Sequence, residues 1–262
     1  VRDSLVNNES LSKSDLETNS TDSVSVQSLP NVLTGRYPEL ILKSILKGFE
    51  STSVLVTNPD GIILAANTIA ANGFPNSTTE SVIGKNFCDL APPQWAQERV
   101  EFMNLAIQRK SQLMVIEILD GTRLCSTISP IQTKDGDDPE WILIFTVEQI
   151  TPVTLEWLRK TKNSEELIDA KFIDLGRLAV LSPRELEVLA LMGQGLRQKQ
   201  IAERLHRSVS TIDRHRERIG EKLGITDRVE LVGLAREAAL EVIDASRTNT
   251  SFGHQYPAPE DK

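Results

Sequence analysis

The apolar pattern changes character three times along the chain. From Leu40 to Lys47, Leu40, Ile41, Ile45 and Leu46 recur at helical spacing with Lys43 and Lys47 opposite, which predicts a short amphipathic helix. From Ser51 to Ile150 the signals are those of strands and turns. A β-branched run over Ser53–Thr57, the turn Asn58-Pro59-Asp60-Gly61 and a return over Ile62–Ala65 predict a hairpin. Short helical stretches follow, among them Ser77–Val82, where Ser77 and Glu80 have capping-box spacing. A longer helix is predicted over Pro93–Lys110 with Val100, Met103 and Ile107 on one face, then strands over Leu113–Leu119, Arg123–Ser129 and Trp141–Val147. Asp120-Gly121 and Asp135-Gly136 mark turns between these strands.

Past Pro152, residues 153–177 have high helix propensity, and 151–177 is expected to be a linker helix, with a break at Asn163-Ser164 left open. The next unit, 178–245, reads as four helices. The first has a complete start signal, with Ser182 as cap, Pro183 at the first position, Glu185 closing a capping box, and Leu181 and Leu186 at staple spacing. Lys199–Leu205 forms the second. Ser208 caps a third that ends at Gly224 and buries Ile212, Ile219 and Leu223. A fourth begins near Asp227 and is expected to bury Val229, Leu231, Val232 and Leu234. Residues 1–35 lack a periodicity that could bury a face and are expected to be a disordered or weakly ordered arm. The polar stretch 246–262, with Pro257 and Pro259, is expected to be a disordered tail.

Composition and charge narrow the function classes. The 262 residues carry a net charge of −8, which taken alone argues against a nucleic-acid partner. The charge is unevenly spread. Residues 178–237 hold 11 Lys+Arg and 9 Asp+Glu, a net of +2, and within 197–228 the balance is 9 against 5. The acidic total belongs to the rest of the chain and does not exclude DNA. No apolar run is long enough to span a bilayer, no secretory signal is visible, and a cytoplasmic setting is expected. Two cysteines, Cys88 and Cys125, exclude a disulfide-rich scaffold and a four-cysteine zinc site. The three histidines all lie in the last quarter of the chain, so Cys88 has no readable base partner. No metal, cofactor or enzymatic activity is expected.

Two short helices joined by a tight turn, the second longer and basic, describe a helix-turn-helix. Residues 181–235 resemble the LuxR-type helix-turn-helix family of bacterial transcription regulators. The resemblance is carried by Pro183-Arg184-Glu185, Val188-Leu189, Gly195, Lys199, Ile201-Ala202, Leu205, Ser208, Thr211, His215, Lys222-Leu223-Gly224 and Arg228. It implies that the third helix enters the DNA major groove, with candidate contacts at Lys199, Ser210, Thr211, Asp213, Arg214, Arg216, Glu217, Arg218 and Lys222. Arg214 is the expected base reader. Thr211, Arg216, Arg218, Lys199 and Lys222 are expected on phosphates. Asp213 and Glu217 depart from the family pattern by being acidic. Either a carboxylate accepts from a cytosine amino group, or the pair holds Arg214, Arg218 or Lys222 at i, i+4 spacing, which is the preferred reading. His215 is expected to pack between helices.

The strand–strand–helices–three-strand order of 51–150, within a unit bounded at 36–150, resembles a PAS domain, carried by Val56 to Leu64, Asn67, Val82 to Phe87 and Asp89-Leu90. This implies helices packed on a five-stranded antiparallel sheet that senses a small molecule or dimerises. Cys88 does not directly follow the Asn as in the flavin-binding light sensors, and no His lies within 51–150 to ligate haem. Glu117, Arg123 and Trp141 are read as sheet-surface residues rather than pocket lining.

The expected fold is therefore α+β: a PAS-like sheet with helices, a linker helix and an all-α four-helix domain. The expected function is a dimeric transcription regulator that binds double-stranded DNA. RNA polymerase and an unidentified small-molecule ligand are candidate partners, and no membrane is expected. The alternative is a protein-interaction adaptor with little DNA affinity.

Overall fold

The computed structural model describes residues 51–134 and 140–252. The expected N-terminal arm, the Leu40–Lys47 helix, the Asp135-Gly136 turn and Pro257 and Pro259 lie outside them. Strands β1 (Ser53–Thr57) and β2 (Ile63–Ala66) form the expected hairpin. In its turn the Asn58 side chain accepts from Ile62 N at 2.8 Å, and Gly61 adopts φ +87°. A side chain at Gly61 would meet the Phe87 ring at 2.9 Å, so both backbone and space require glycine. Helices α1 (Thr68–Asn72), α2 (Thr79–Val82) and α3 (Pro93–Arg109) follow. Asn67 caps α1 and also accepts from Val54 N at 3.1 Å, tying the helix to the hairpin. The α2 capping box is made by Thr78 and Ser81, not by Ser77 and Glu80. In α3 the buried stripe includes Arg99, Phe102, Met103 and Ala106, with Val100 and Ile107 only half-buried.

Strands β3 (Leu113–Leu119), β4 (Thr122–Lys134) and β5 (Glu140–Gln149) complete the antiparallel part. β4 runs five residues past the expected end at Ser129. Its pairing with β3 stops at Ile128 while its pairing with β5 continues, so Pro130 sits where one side needs no N–H donor.

The chain from 151 to 177 corrects the linker-helix expectation. Thr151 caps α4, which covers only Pro152–Thr161. Asn163 then stops the helix by accepting from Glu165 N and Glu166 N at 2.8 and 3.0 Å. Strand β6 (Leu167–Asp169) pairs parallel with β3, so the PAS-like sheet has six strands rather than five, in the order β2-β1-β5-β4-β3-β6. Helix propensity loses here because β3 offers an open edge of unpaired backbone. Strand β7 (Phe172–Ile173) and a 3-10 turn over Gly176–Val180 lead on.

The sheet is covered on both faces. Helices α1 to α3 pack with Ile63, Leu113, Val115, Ile128, Leu143 and Phe145 on one face. On the other, Leu155 and Leu158 of α4 pack on Ile116 and Cys125. The last unit is α5 (Pro183–Gly193), α6 (Gln198–Arg204), α7 (Val209–Leu223) and α8 (Arg228–Glu237). Leu231 and Ala235 are the buried residues of α8; Val229, expected inside, is 76% exposed. After α8, a 3-10 turn over Val242–Ser246 is followed by β8 (Thr248–Asn249), which pairs parallel with β7. Those two residues were expected in a disordered tail. Their pairing is non-local and leaves no periodic trace in so short and polar a segment.

The two units share one apolar cluster, in which Ile118 and Ile173 join Leu189, Ile219 and Leu240. The seam beside it is ionic. Arg123 of β4, 0% exposed, pairs with Asp244 and donates to the Ala239 carbonyl at 3.1 Å. Arg159 of α4 pairs with Asp169 and Glu241 at 2.9 and 2.6 Å, and Arg247 with Asp169 at 2.5 Å. Arg123 is thus a core residue, contrary to the surface expectation. Among the described residues no helix is long and apolar enough to cross a membrane.

Candidate nucleic-acid interface

The helical unit is built around α5. Ser182 and Glu185 form the expected capping box, with Ser182 N donating to Glu185 Oε2 at 2.7 Å. Leu181 and Leu186 both enter the core. Gly193 of α5 lies so close to α8 that a Cβ there would meet the Ala235 Cβ at 2.8 Å. Arg184 donates to the Leu205 carbonyl at 2.9 Å and so fixes the end of α6. The turn into α7 passes through His206 at φ 52°. Ser208 then caps α7, accepting from Thr211 N at 3.2 Å, and Gly224 ends it at φ 68°. Ile212, Ile219 and Leu223 form the buried stripe of α7, as their spacing predicts.

That stripe leaves the rest of α7 outward. Ser210, Arg214, Glu217, Arg218 and Lys222 are exposed, as is Lys199 on α6; Thr211, Asp213 and Arg216 are half-buried. Lys199, Arg214 and Arg218 make no ion pair with a described residue. The expected i, i+4 pairings on α7 do not form. Asp213 instead accepts a hydrogen bond from Gln198 of α6, so it clasps the two helices together. Lys222 reaches across to Glu185 of α5 at 2.7 Å. Burial pushes the Glu185 carboxyl up, but Lys222 and the Ser182 backbone N–H outweigh it and hold it below the usual carboxylate value.

His215 is half-buried on α7, and its Nδ1 meets no hydrogen-bond partner. Burial, reinforced by Arg184, lowers its pKa below the ordinary value. Sequence reasoning passed over two further cations. Arg204 ends α6 and Arg207 precedes the α7 cap; both are exposed and without an ion pair to a described residue. Arg207 is near enough to His215 to contribute to its lowered pKa. The signal for both was the local charge tally of 197–228, in which they are counted.

Residues 179–235 match the family model described as bacterial regulatory proteins, luxR family. This segment is a luxR-family domain. It is also similar to the oxygen regulatory protein NreC of Staphylococcus aureus, with 44% identity over 61 residues. That match covers 23% of this chain and 28% of the relative, so it spans little more than a quarter of the relative's length. Among solved structures, the chain is similar to VqmA of Vibrio cholerae in a ligand–DNA complex. The identity there is 19% with TM-score 0.45, covering 79% of this chain and 92% of that one. It is also similar to the PAS domain of the histidine kinase ThkA, at 19% identity and TM-score 0.32, covering 37% of this chain and 98% of that one. The segment matched by the family model covers α5 to α7 and most of α8, and the six-stranded sheet precedes it in the chain.

Proposed function

We propose that this chain is a sequence-specific transcription regulator of the cytoplasm. Its luxR-type domain lays α7 in the major groove of double-stranded DNA, and its PAS-like domain dimerises or senses a signal. The observation that carries the reading is the row of outward cations on and beside α7, Lys199, Arg204, Arg207, Arg214 and Arg218, none of them paired with a described carboxylate. An unpaired surface cation loses no existing partner when it meets a phosphate, and each such contact releases condensed counterions.

Within that face Arg214 is the base reader, suited to the paired acceptors of guanine. Lys199, Ser210, Thr211 and Arg218 hold phosphates, with Arg204 and Arg207 added to them. Arg216 is half-buried with its Nε unpartnered, which suits a phosphate oxygen at the edge of the groove. Lys222 is better placed to fix α7 against α5 through Glu185 than to reach far from it. Asp213 works through Gln198 in the same way, and Glu217 faces the groove as an acceptor. The net charge of 178–237 is only +2, so one domain binds weakly and a homodimer supplies the affinity. RNA polymerase is the partner through which bound protein would act on transcription.

A fluorescence-anisotropy titration of the full chain with duplex DNA at several salt concentrations tests this. Log affinity is expected to fall linearly with log salt, and Arg218→Ala to reduce the slope by about 1. No affinity even at low salt would favour the adaptor reading instead.

A further inference from the structure

Helix α4 carries an apolar crest that the fold does not use. Leu155 and Leu158 are buried, packed on Ile116 and Cys125 of the sheet. At about 3.6 residues per turn, Val153, Glu156, Trp157 and Lys160 fall on the opposite side of the helix. Val153 is 76% and Trp157 58% exposed, and Glu156 and Lys160 also stand in solvent. Single exposed apolar residues are ordinary, but these two lie one turn apart along the crest of one helix. Glu117 shows the contrary case. Expected on the sheet surface, it is buried and pairs with Arg99. The platform under the crest is firm. Thr151 caps α4, and Arg159, between its two faces, pairs with Asp169 of β6 and with Glu241 just beyond α8. Whatever seats on the crest is thereby fixed relative to both the sheet and the luxR-type domain.

The charges on the crest select its occupant. Lys160 meets Glu156 of its own helix at 2.6 Å, an exposed pair that costs little to exchange. A two-fold interface needs a patch that complements itself. Two crests packed parallel would set Glu156 against the partner's Glu156 and Lys160 against the partner's Lys160. Packed antiparallel, with the axis level with Leu158, each Glu156 comes level with the partner's Lys160. The two Trp157 Cα atoms then lie about 3 Å apart along the helix direction, so the rings meet across the axis. Tryptophan is among the residues most enriched as interface anchors.

We propose that a second copy of this chain seats on the crest, α4 against α4 in antiparallel two-fold packing, with Trp157 as the anchor and Val153 beside it. The interface rests on the homodimer reading above, gives it a surface, and needs no DNA to form. Because Arg159 ties α4 to Glu241, the same axis relates the two luxR-type domains, as a two-fold operator demands.

Sedimentation equilibrium of the full chain without DNA tests this. The wild type should reach twice the chain mass. Trp157→Glu should weaken association at least about thirtyfold, and Trp157→Phe, which keeps a ring, by less than about tenfold. Glu156→Lys makes the crest all basic and Lys160→Glu makes it all acidic. Each alone should weaken self-association at least about tenfold, and an equal mixture of the two should recover association to within about threefold of wild type. All three positions are exposed, so the denaturation midpoint should stay near wild type, and recovery on mixing separates lost complementarity from lost folding. A wild type that stays monomeric at about 100 µM would overturn the interface and the homodimer together, leaving the crest to a different protein. Wild-type association by folded Trp157→Glu would overturn this surface and leave the homodimer to form elsewhere. No recovery on mixing the two charge variants would overturn the antiparallel packing and the proposal with it.

Discussion

Two charged regions flank the luxR-type domain, and they follow opposite rules. At the seam with the sheet, Arg123, Arg159 and Arg247 all have carboxylate partners, and Arg123 and Asp244 are withdrawn from solvent almost completely. On α7 and beside it, Arg214, Arg218 and Lys199 are exposed and have no partner among the described residues. The difference separates charge that holds the fold from charge left open to a partner. Buried charge tolerates no vacancy, because an unpaired ion in a low-dielectric site costs several kcal/mol. Exposed unpaired charge costs little to keep and remains available to a polyanion.

The sharpest way to break the comparison is at the seam. Asp244→Ala leaves the Arg123 guanidinium buried without its carboxylate and should destabilise the chain by about 3–5 kcal/mol in chemical denaturation. Replacing both partners with apolar side chains, Arg123→Met with Asp244→Leu, should recover most of that loss, because the penalty belongs to the orphaned charge. On α7 the expected pattern reverses. Arg214→Ala should change stability by no more than about 0.5 kcal/mol, while discrimination at one base position falls by about 1–3 kcal/mol in competition binding. A loss of stability as large as that of Asp244→Ala would erase the distinction.

Ser182→Ala removes the α5 cap and should cost about 1 kcal/mol, visible as a shifted denaturation midpoint with unchanged slope. A smaller effect is expected from acid. Burial raises the Asp169 pKa, but Arg159 and Arg247 more than reverse this and hold it below the ordinary value. A depressed carboxylate contributes stability that is fully present above its unfolded pKa and is lost as pH falls through the folded one. Hydrogen exchange in β6 should therefore accelerate on acidification below the ordinary Asp range, and Asp169→Asn should flatten that dependence.

Local chemistry made much of this visible in advance. The Ser182-Pro183-Arg184-Glu185 start, the Gly224 stop and the Ile212, Ile219, Leu223 stripe each depend on residues within one helix, and each forms as its spacing predicts. What escaped is non-local. Arg123 in a strand looks like a surface residue until Asp244, far along the chain, arrives to neutralise it. Lys222 reads as a phosphate contact, yet its partner Glu185 lies on another helix. Val229 has the composition of a core residue, but the core is met by Leu231 and Ala235 instead. β6 and β8 are too short to show a period; they exist because β3 and β7 present free edges. In the candidate site, helix and face were legible, whereas the partners that restrain Asp213 and Lys222 were not.

The claim that matters most is that the open face of α7 reads base sequence. Selection of bound duplexes from a random DNA pool, with the full chain and with Arg214→Ala in parallel, tests it most directly. The wild type should enrich a two-fold related motif, and Arg214→Ala should lose preference at one position of each half-site while keeping the others. No enrichment by the wild type, or an identical motif with undiminished preference from Arg214→Ala, would contradict it.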